Sequence, residues 1–252
     1  MEIEFLGTGT STGVPQIGCN CKVCKSCNPK DKRLRSSAII HLDNGHNILI
    51  DCGPDFRTQI LRAHYGNPDA LLVTHSHYDH VGGIDDLRPF CALKPFPVYA
   101  RKDVLNDIRT RLPYCFVEHT YPGVPTFEMN AINESDFYVD GVKIIPLPIW
   151  HYKLLISGFI IDKIAYITDA KYIDDNVISR LKGIPLLVIN SLRISEHMSH
   201  MSLAETLNVI SKIQPERAYL IHMSHDMGLH EETSKMLPSN VRFAYDGLIL
   251  RI

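Results

Sequence analysis

The chain has 252 residues, 45% of them hydrophobic, enough to bury the core of one large α/β domain or of two small ones. Lys and Arg total 26 against 28 Asp and Glu, a formal net charge of -2 with histidines neutral, so no strongly basic face is implied and a long nucleic acid is disfavoured as partner. No run of about 18 apolar residues occurs, and Met1-Glu2-Ile3-Glu4 carries neither a basic nor an apolar signal region, which excludes a membrane span from the reading and makes a cytoplasmic protein the expectation.

Glu2 to Leu6 alternates as a strand and runs into Gly7-Thr-Gly9-Thr-Ser-Thr-Gly13. Phosphate cradling is one reading of that loop, but the Lys-Ser/Thr of a P-loop and a following helical pattern are both missing. The other reading is a tight turn that lets the backbone approach a site. Four of the seven cysteines then fall in Cys19-Asn-Cys21-Lys-Val-Cys24-Lys-Ser-Cys27, whereas Cys52, Cys91 and Cys115 are scattered. In a chain without a secretion signal such clustering favours thiolate metal ligation over disulfides. Three or four thiolates at one- and two-residue spacings suit tetrahedral, structural zinc; reduced exposed cysteines or a redox switch remain the alternative. Local spacing leaves open whether a fourth ligand is Cys27 or something distant.

Two short strands follow, Ser37 to His41 and Asn47 to Asp51, joined by Leu42-Asp-Asn-Gly45, whose Asn-Gly is a hairpin signal. A short helix is expected over 55–63, with Pro54 at its first turn. Ala70 to Thr74 is a buried strand that delivers His75-Ser-His77-Tyr-Asp79-His80, four metal-ligand side chains within six residues. In extended backbone residues i and i+2 point the same way, so His75 and His77 can share one ion, while Asp79 and His80, past a bend, can reach a second. So many titratable groups together need a charge or solvent to satisfy them. Gly82-Gly83 is expected to let the backbone turn sharply.

Further strands are expected at 98–100, 137–148, 157–162, 164–168, 186–190, 217–222 and 247–252, and helices at 103–111, 174–182, 202–213 and 230–237. Ser202 with Glu205 forms a capping box that fixes the start of the third of these helices. The proline- and aromatic-rich stretch 111–133 is the candidate loop or lid, and with it the place for substrate-reading residues. Three more strand ends carry ligands: His151 after Ile144 to Trp150, Asp169 after Ala165 to Thr168, and His222 with His225 after Tyr219 to Ile221. Each repeats one device, a polar ligand at the open end of a buried strand, where α/β proteins tend to place chemistry.

The order His-x-His-x-Asp-His, with these later strand-end ligands, resembles the metallo-β-lactamase-fold hydrolases from Gly7-Thr-Gly9 to His222. The resemblance implies one domain over 1–252, an α/β four-layer αββα sandwich, with two divalent ions in the cleft between its sheets. It implies that His75, His77 and His151 bind the first ion, Asp79, His80 and His222 the second, and that Asp169 bridges them. Asp51 matches an aspartate that supports the motif loop, as metal ligands generally require. The loop at 18–28 and His-Met-Ser-His near the C-terminus are similar to the phosphoribosyl cyclic phosphodiesterases of the carbon-phosphorus lyase pathway. In that group three cysteines and a histidine hold a structural zinc, here Cys19, Cys21, Cys24 and His225, which leaves Cys27 spare. His200 matches a catalytic histidine of the group and joins Asp79 and Asp169 as the catalytic set, while neighbouring His197 has no assigned role.

The activity implied is hydrolysis of a small cyclic phosphate ester, such as 5-phosphoribosyl 1,2-cyclic phosphate, by water activated between two ions, with His200 as general acid or phosphate donor. The nitrogen and oxygen donor set admits zinc, manganese or iron. A homodimer is compatible with the sequence. A tRNA 3′-processing endonuclease, a cyclic-nucleotide phosphodiesterase and a lactonase on the same scaffold are the alternatives; no inserted basic, Gly-rich arm for tRNA is visible. An oxygen-reducing protein of this fold would carry Glu at the position of His77 and a flavin domain. A non-catalytic zinc knuckle binding nucleic acid would call for aromatics among the basic residues, and the cysteine loop has none.

Overall fold

The computed structural model describes residues 1–117 and 123–252. Among them are fourteen strands in two seven-stranded mixed sheets. The first sheet takes β1 (Glu2–Gly7), β2 (Ser37–His41), β3 (Asn47–Ile50), β4 (Ala70–Leu72), β5 (Phe96–Arg101) and β6 (Phe127–Ile132) in sequence order. The second takes β7 (Phe137–Val139), β8 (Val142–His151), β9 (Leu154–Ile161), β10 (Ile164–Ile167), β11 (Leu186–Asn190), β12 (Arg217–Ile221) and β13 (Val241–Phe243), again as sequential neighbours. The last strand, β14 (Ile249–Arg251), returns to the outer edge of the first sheet beside β1.

Strand alternation sorts the apolar side chains into three layers. Ile3, Phe5, Ile40, Ile50, Phe159, Ile161, Tyr166 and Val188 pack between the sheets. Leu49, Leu71 and Val98 face outward onto α1 (Phe56–Arg62) and α3 (Lys102–Arg111). Ile149, Ile167 and Leu220 face α4 (Asp175–Arg180) and α5 (Leu203–Ile213) on the other side. The result is the expected αββα sandwich. Between α1 and α3 lies α2 (Tyr78–Val81), which is the second half of the histidine motif, and α6 (His230–Thr233) follows β12. The capping box on α5 is present, Ser202 Oγ accepting from the Glu205 N–H and the Glu205 carboxylate from the Ser202 N–H.

Several boundaries differ from the sequence reading. Asp140 and Gly141, both at positive φ, turn the chain between β7 and β8 and split the expected 137–148 strand. The expected 230–237 helix is only α6 followed by a 3-10 turn over Ser234–Met236. The 111–133 stretch is not all loop: it holds a 3-10 turn at Pro113–Cys115 and the edge strand β6, while 118–122 lies outside the described residues. Strand β13 carries no signal beyond three residues and was not foreseen.

Gly82 and Gly83 make the expected turn between α2 and the 3-10 segment that begins at Ile84. Neither has a positive φ. A Cβ on Gly83 would lie 2.1 Å from the Gly53 carbonyl oxygen, and one on Gly53 would lie 2.0 Å from the Asp79 carbonyl oxygen. Gly53 and Gly83 also let the β3 exit and the motif loop touch backbone to backbone.

Candidate metal centre

The motif residues emerge where the parallel strands β3, β4 and β5 end. Past β4, Thr74 donates from both its N–H (2.8 Å) and its hydroxyl (2.9 Å) to the Asp51 carboxylate, which sits at the end of β3 with no solvent exposure. His80 Nδ1 donates to the same carboxylate at 2.7 Å. Asp51 thus fixes the two ends of the loop that carries His75, His77 and Asp79, the supporting role expected of it. Desolvation raises its pKa, opposed by His80 and these hydrogen bonds.

Four buried side chains then converge. His80 Nε2 lies 3.2 Å from Asp79 Oδ2 and 3.4 Å from Asp169 Oδ1, and His222 Nε2 lies 3.5 and 3.2 Å from the same two oxygens. The other oxygen of Asp169 faces a second group: Oδ2 is 3.9 Å from His75 Nε2 and 3.8 Å from His200 Nδ1. His77 Nδ1 approaches His75 Nε2 at 3.0 Å, and the rings of His77, His151 and His200 follow in a row with centroids 5.2 and 4.6 Å apart. All seven side chains that the sequence proposed for the two ions are therefore gathered in one cleft, with His200 beside them. The ligand atoms of His151, Asp169 and His200 lie close enough together to hold a metal ion, so His200 is a further candidate ligand beside His151.

Ring orientation is set from behind. His75 Nδ1 meets Thr74 Oγ1 at 3.0 Å, and His151 Nδ1 lies 2.9 Å from the carbonyl oxygens of Asp169 and Ser199, so it carries the hydrogen and leaves Nε2 for the cleft. Asp51, Asp169 and His222 all adopt left-handed φ, at 59°, 55° and 57°, directly after β3, β10 and β12. A non-glycine residue there is strained, and such strain concentrates at functional sites. Asn190, buried at the end of β11, clamps the turn after Asp169 by accepting from the Ala170 N–H at 2.7 Å and donating to its carbonyl at 3.0 Å. It escaped the sequence reading, although it too is a polar residue closing an apolar strand.

The electrostatics are those of a site waiting for cations. Burial opposes the charge on His80, but Asp79, Asp169 and Asp51 together push its pKa well above the ordinary value; burial holds that of His75 well below it. Burial also drives His200 down to about 3 against the pull of Asp169. His80 Nε2, His200 Nδ1 and both ring nitrogens of His222 are buried without a hydrogen bond. Unpaired imidazole nitrogens facing buried carboxylate oxygens are costly unless a metal satisfies them, and this donor set of nitrogen and oxygen fits divalent ions.

A second cluster lies nearby. Cys19 and Cys21 Sγ are 3.4 and 3.3 Å from His225 Nδ1, and Cys24 completes the group. The distant fourth partner is thus His225, while Cys27 is exposed and stands apart. The Cys24 N–H and His225 lower the Cys21 thiol to about 6, readying it as a thiolate. Three sulfurs and one imidazole suit structural zinc. His197 sits 5.3 Å from the His200 ring and accepts from the Ser199 N–H, outside both ligand groups. Among the described residues no helix is long and apolar enough to cross a membrane.

Comparison with known proteins gives a consistent pattern. Residues 46–223 match a family profile described as a beta-lactamase superfamily domain. A crystal structure of a diphosphatase from the PhnP family superposes with a TM-score of 0.92 at 35% identity, covering 100% of this chain and 97% of that one. The zinc-bound PqqB of Methylobacterium extorquens superposes with a TM-score of 0.82 at 20% identity over the whole of both chains, a likeness of fold. In sequence, an octanoyltransferase of Porphyromonas gingivalis is 44% identical over 98% of this chain, which spans only 51% of that relative.

Proposed function

The chain belongs to the beta-lactamase superfamily, a family of metal-dependent hydrolases of this fold, and from that premise we propose that it is a dinuclear phosphodiesterase acting on a small phosphate ester. The observation that carries the reading is Asp169, whose two carboxylate oxygens face two different groups of imidazoles. In this reading His75, His77 and His151 hold one ion, Asp79, His80 and His222 the other, and Asp169 both. When bound, such a pair supplies a water nucleophile of lowered pKa and neutralises the phosphoryl oxygens.

The protein's own groups do the rest. Asp51 and Thr74 hold the motif loop, the Asp169 and Ser199 carbonyls fix His151, and His200, in ring contact with His151 and His222, takes the proton of the attacking water and passes it to the departing oxygen. Cys19, Cys21, Cys24 and His225 hold a structural zinc. A cyclic ester such as 5-phosphoribosyl 1,2-cyclic phosphate is the substrate favoured by the cysteine loop and His200. Diphosphate esters are the second reading, favoured by the whole-length similarity to a diphosphatase. Acyl transfer, the activity for which the Porphyromonas gingivalis relative is named, belongs to a protein about twice as long as the matched region, and the histidines and carboxylates of the cleft do not favour it.

The test is metal analysis of protein grown with zinc and manganese, followed by assay against ribose 1,2-cyclic phosphate, 2′,3′-cyclic nucleotides, a dinucleoside diphosphate, bis(p-nitrophenyl) phosphate, a lactone and a pre-tRNA. Three ions per chain and turnover of a phosphate ester that EDTA abolishes are expected. Metal-replete protein that cleaves none of the phosphate esters overturns the reading.

A further inference from the structure

A cavity of about 530 Å³ opens beside the metal centre, between the ends of β5 and β6 on one sheet and β8 and β9 on the other. Ser157 links the two: its N–H donates to the Thr74 carbonyl at 3.0 Å, one residue before His75. Helix α3, which contributes Lys102, Asp103 and Asn106 to the lining, is also tied to the motif loop, where Asp107 accepts from the hydroxyl of Ser76 at 2.5 Å, between His75 and His77. The groove thus adjoins the strand end and loop that carry His75 and His77, and its size falls within the roughly 300–1,000 Å³ of small-ligand sites.

From this lining, and resting on the phosphodiesterase reading above with a nucleotide ester rather than 5-phosphoribosyl 1,2-cyclic phosphate as the substrate, we infer that the groove takes the nucleoside part of the ester, sugar and base together. Ser157 is 5% exposed and faces the space between the sheets with Phe159 and Ile161; its hydroxyl makes no hydrogen bond to a described residue. Asn133 is pinned by its Oδ1, which accepts from the Ser135 N–H at 2.7 Å, and Asn106 Oδ1 accepts from Arg109 at 3.4 Å; both side-chain NH2 groups remain as donors. Pro146 and Pro148 offer flat apolar surface for a ring face, and the Glu134 carboxylate can accept from sugar hydroxyls.

Charge argues against a second phosphate as the occupant. Arg101 is held by Asp103 at 3.1 and 3.2 Å, and Lys102 is matched by Glu134, so the lining is balanced in sign. A groove with separate donors and acceptors and no net charge suits a neutral, hydroxyl-rich, ring-bearing group.

The test compares the holoenzyme with an Asn106→Ala/Asn133→Ala variant, both positions being exposed, on two substrates: bis(p-nitrophenyl) phosphate and the p-nitrophenyl ester of uridine 5′-monophosphate. The variant is expected to lower kcat/KM for the uridine ester about tenfold more than for bis(p-nitrophenyl) phosphate, through KM, the size expected for lost hydrogen bonds to substrate. Equal losses on both substrates overturn the inference. If the wild type cleaves neither ester, the hydrolase reading is decided by the full panel above, and NMR titration of the holoenzyme with uridine decides the groove alone. Binding weakened about tenfold in the variant then supports the subsite, and identical binding in the two proteins overturns it.

Discussion

His200 is the residue whose surroundings constrain its role most tightly. Its side chain is 12% exposed, its Nδ1 has no hydrogen bond, and it stands 3.8 Å from the Asp169 oxygen that faces His75. Burial keeps the free imidazole neutral at ordinary pH, so it acts either as a ligand or as a relay that takes the attacking water's proton before giving it to the leaving oxygen. His200→Ala is expected to lower kcat by roughly 10² to 10⁴-fold with both active-site ions retained, checked by turnover and metal analysis of the same preparation. Loss of an ion together with activity makes His200 a ligand instead. The sequence identified the residue through its motif neighbourhood, but its proximity to His151 and Asp169 depends on the loop 191–201 folding over Ala170, where the Met201 N–H donates to the Ala170 carbonyl at 2.9 Å. No local pattern encodes that contact.

At the scale of elements, the strands and their terminal ligands were legible because one physical rule writes both: an apolar run marks a buried strand, and a polar residue at its end has only the cleft to face. His75, His151, Asp169 and His222 all follow that rule. Edge strands obey it weakly, which is why Phe127–Ile132, with partly exposed residues and Glu128 and Asn130 among them, read as loop. The turn at Gly82-Gly83 was legible, but the contact of Gly83 with Gly53 was not, since a close approach between segments 30 residues apart leaves no mark on either. Gly83→Ala puts a methyl group into the Gly53 carbonyl, and neither backbone can retreat without moving Asp79. A loss of about 3 kcal/mol, the upper end of ordinary overpacking, is expected in urea unfolding, with lower metal content as the local readout. A variant as stable as the wild type shows that the loop does not need this contact.

The whole molecule is tied together by contacts that cross most of its length. The Met223 N–H donates to the Thr8 carbonyl at 3.0 Å and the Thr10 N–H to the Met223 carbonyl at 3.1 Å, so the glycine loop after β1 pairs with the segment that carries His222 and His225. His225 in turn meets Cys19 and Cys21, more than 200 residues away in sequence. Both metal clusters hang on one four-residue segment, and anything that frees His225 loosens His222. Cys21→Ser is therefore expected to remove one zinc per chain, lower Tm and reduce turnover together. Structural zinc is worth on the order of 10 kcal/mol of apparent binding, and losing even about half of that lowers Tm by roughly 10–20 °C in a chain of this size. Scanning calorimetry with metal analysis gives the first two readings and phosphodiester assay the third. Reduced zinc and Tm with unchanged turnover show that the β-strand pairing alone holds His222 in place, and that the cysteine loop serves stability without serving the cleft.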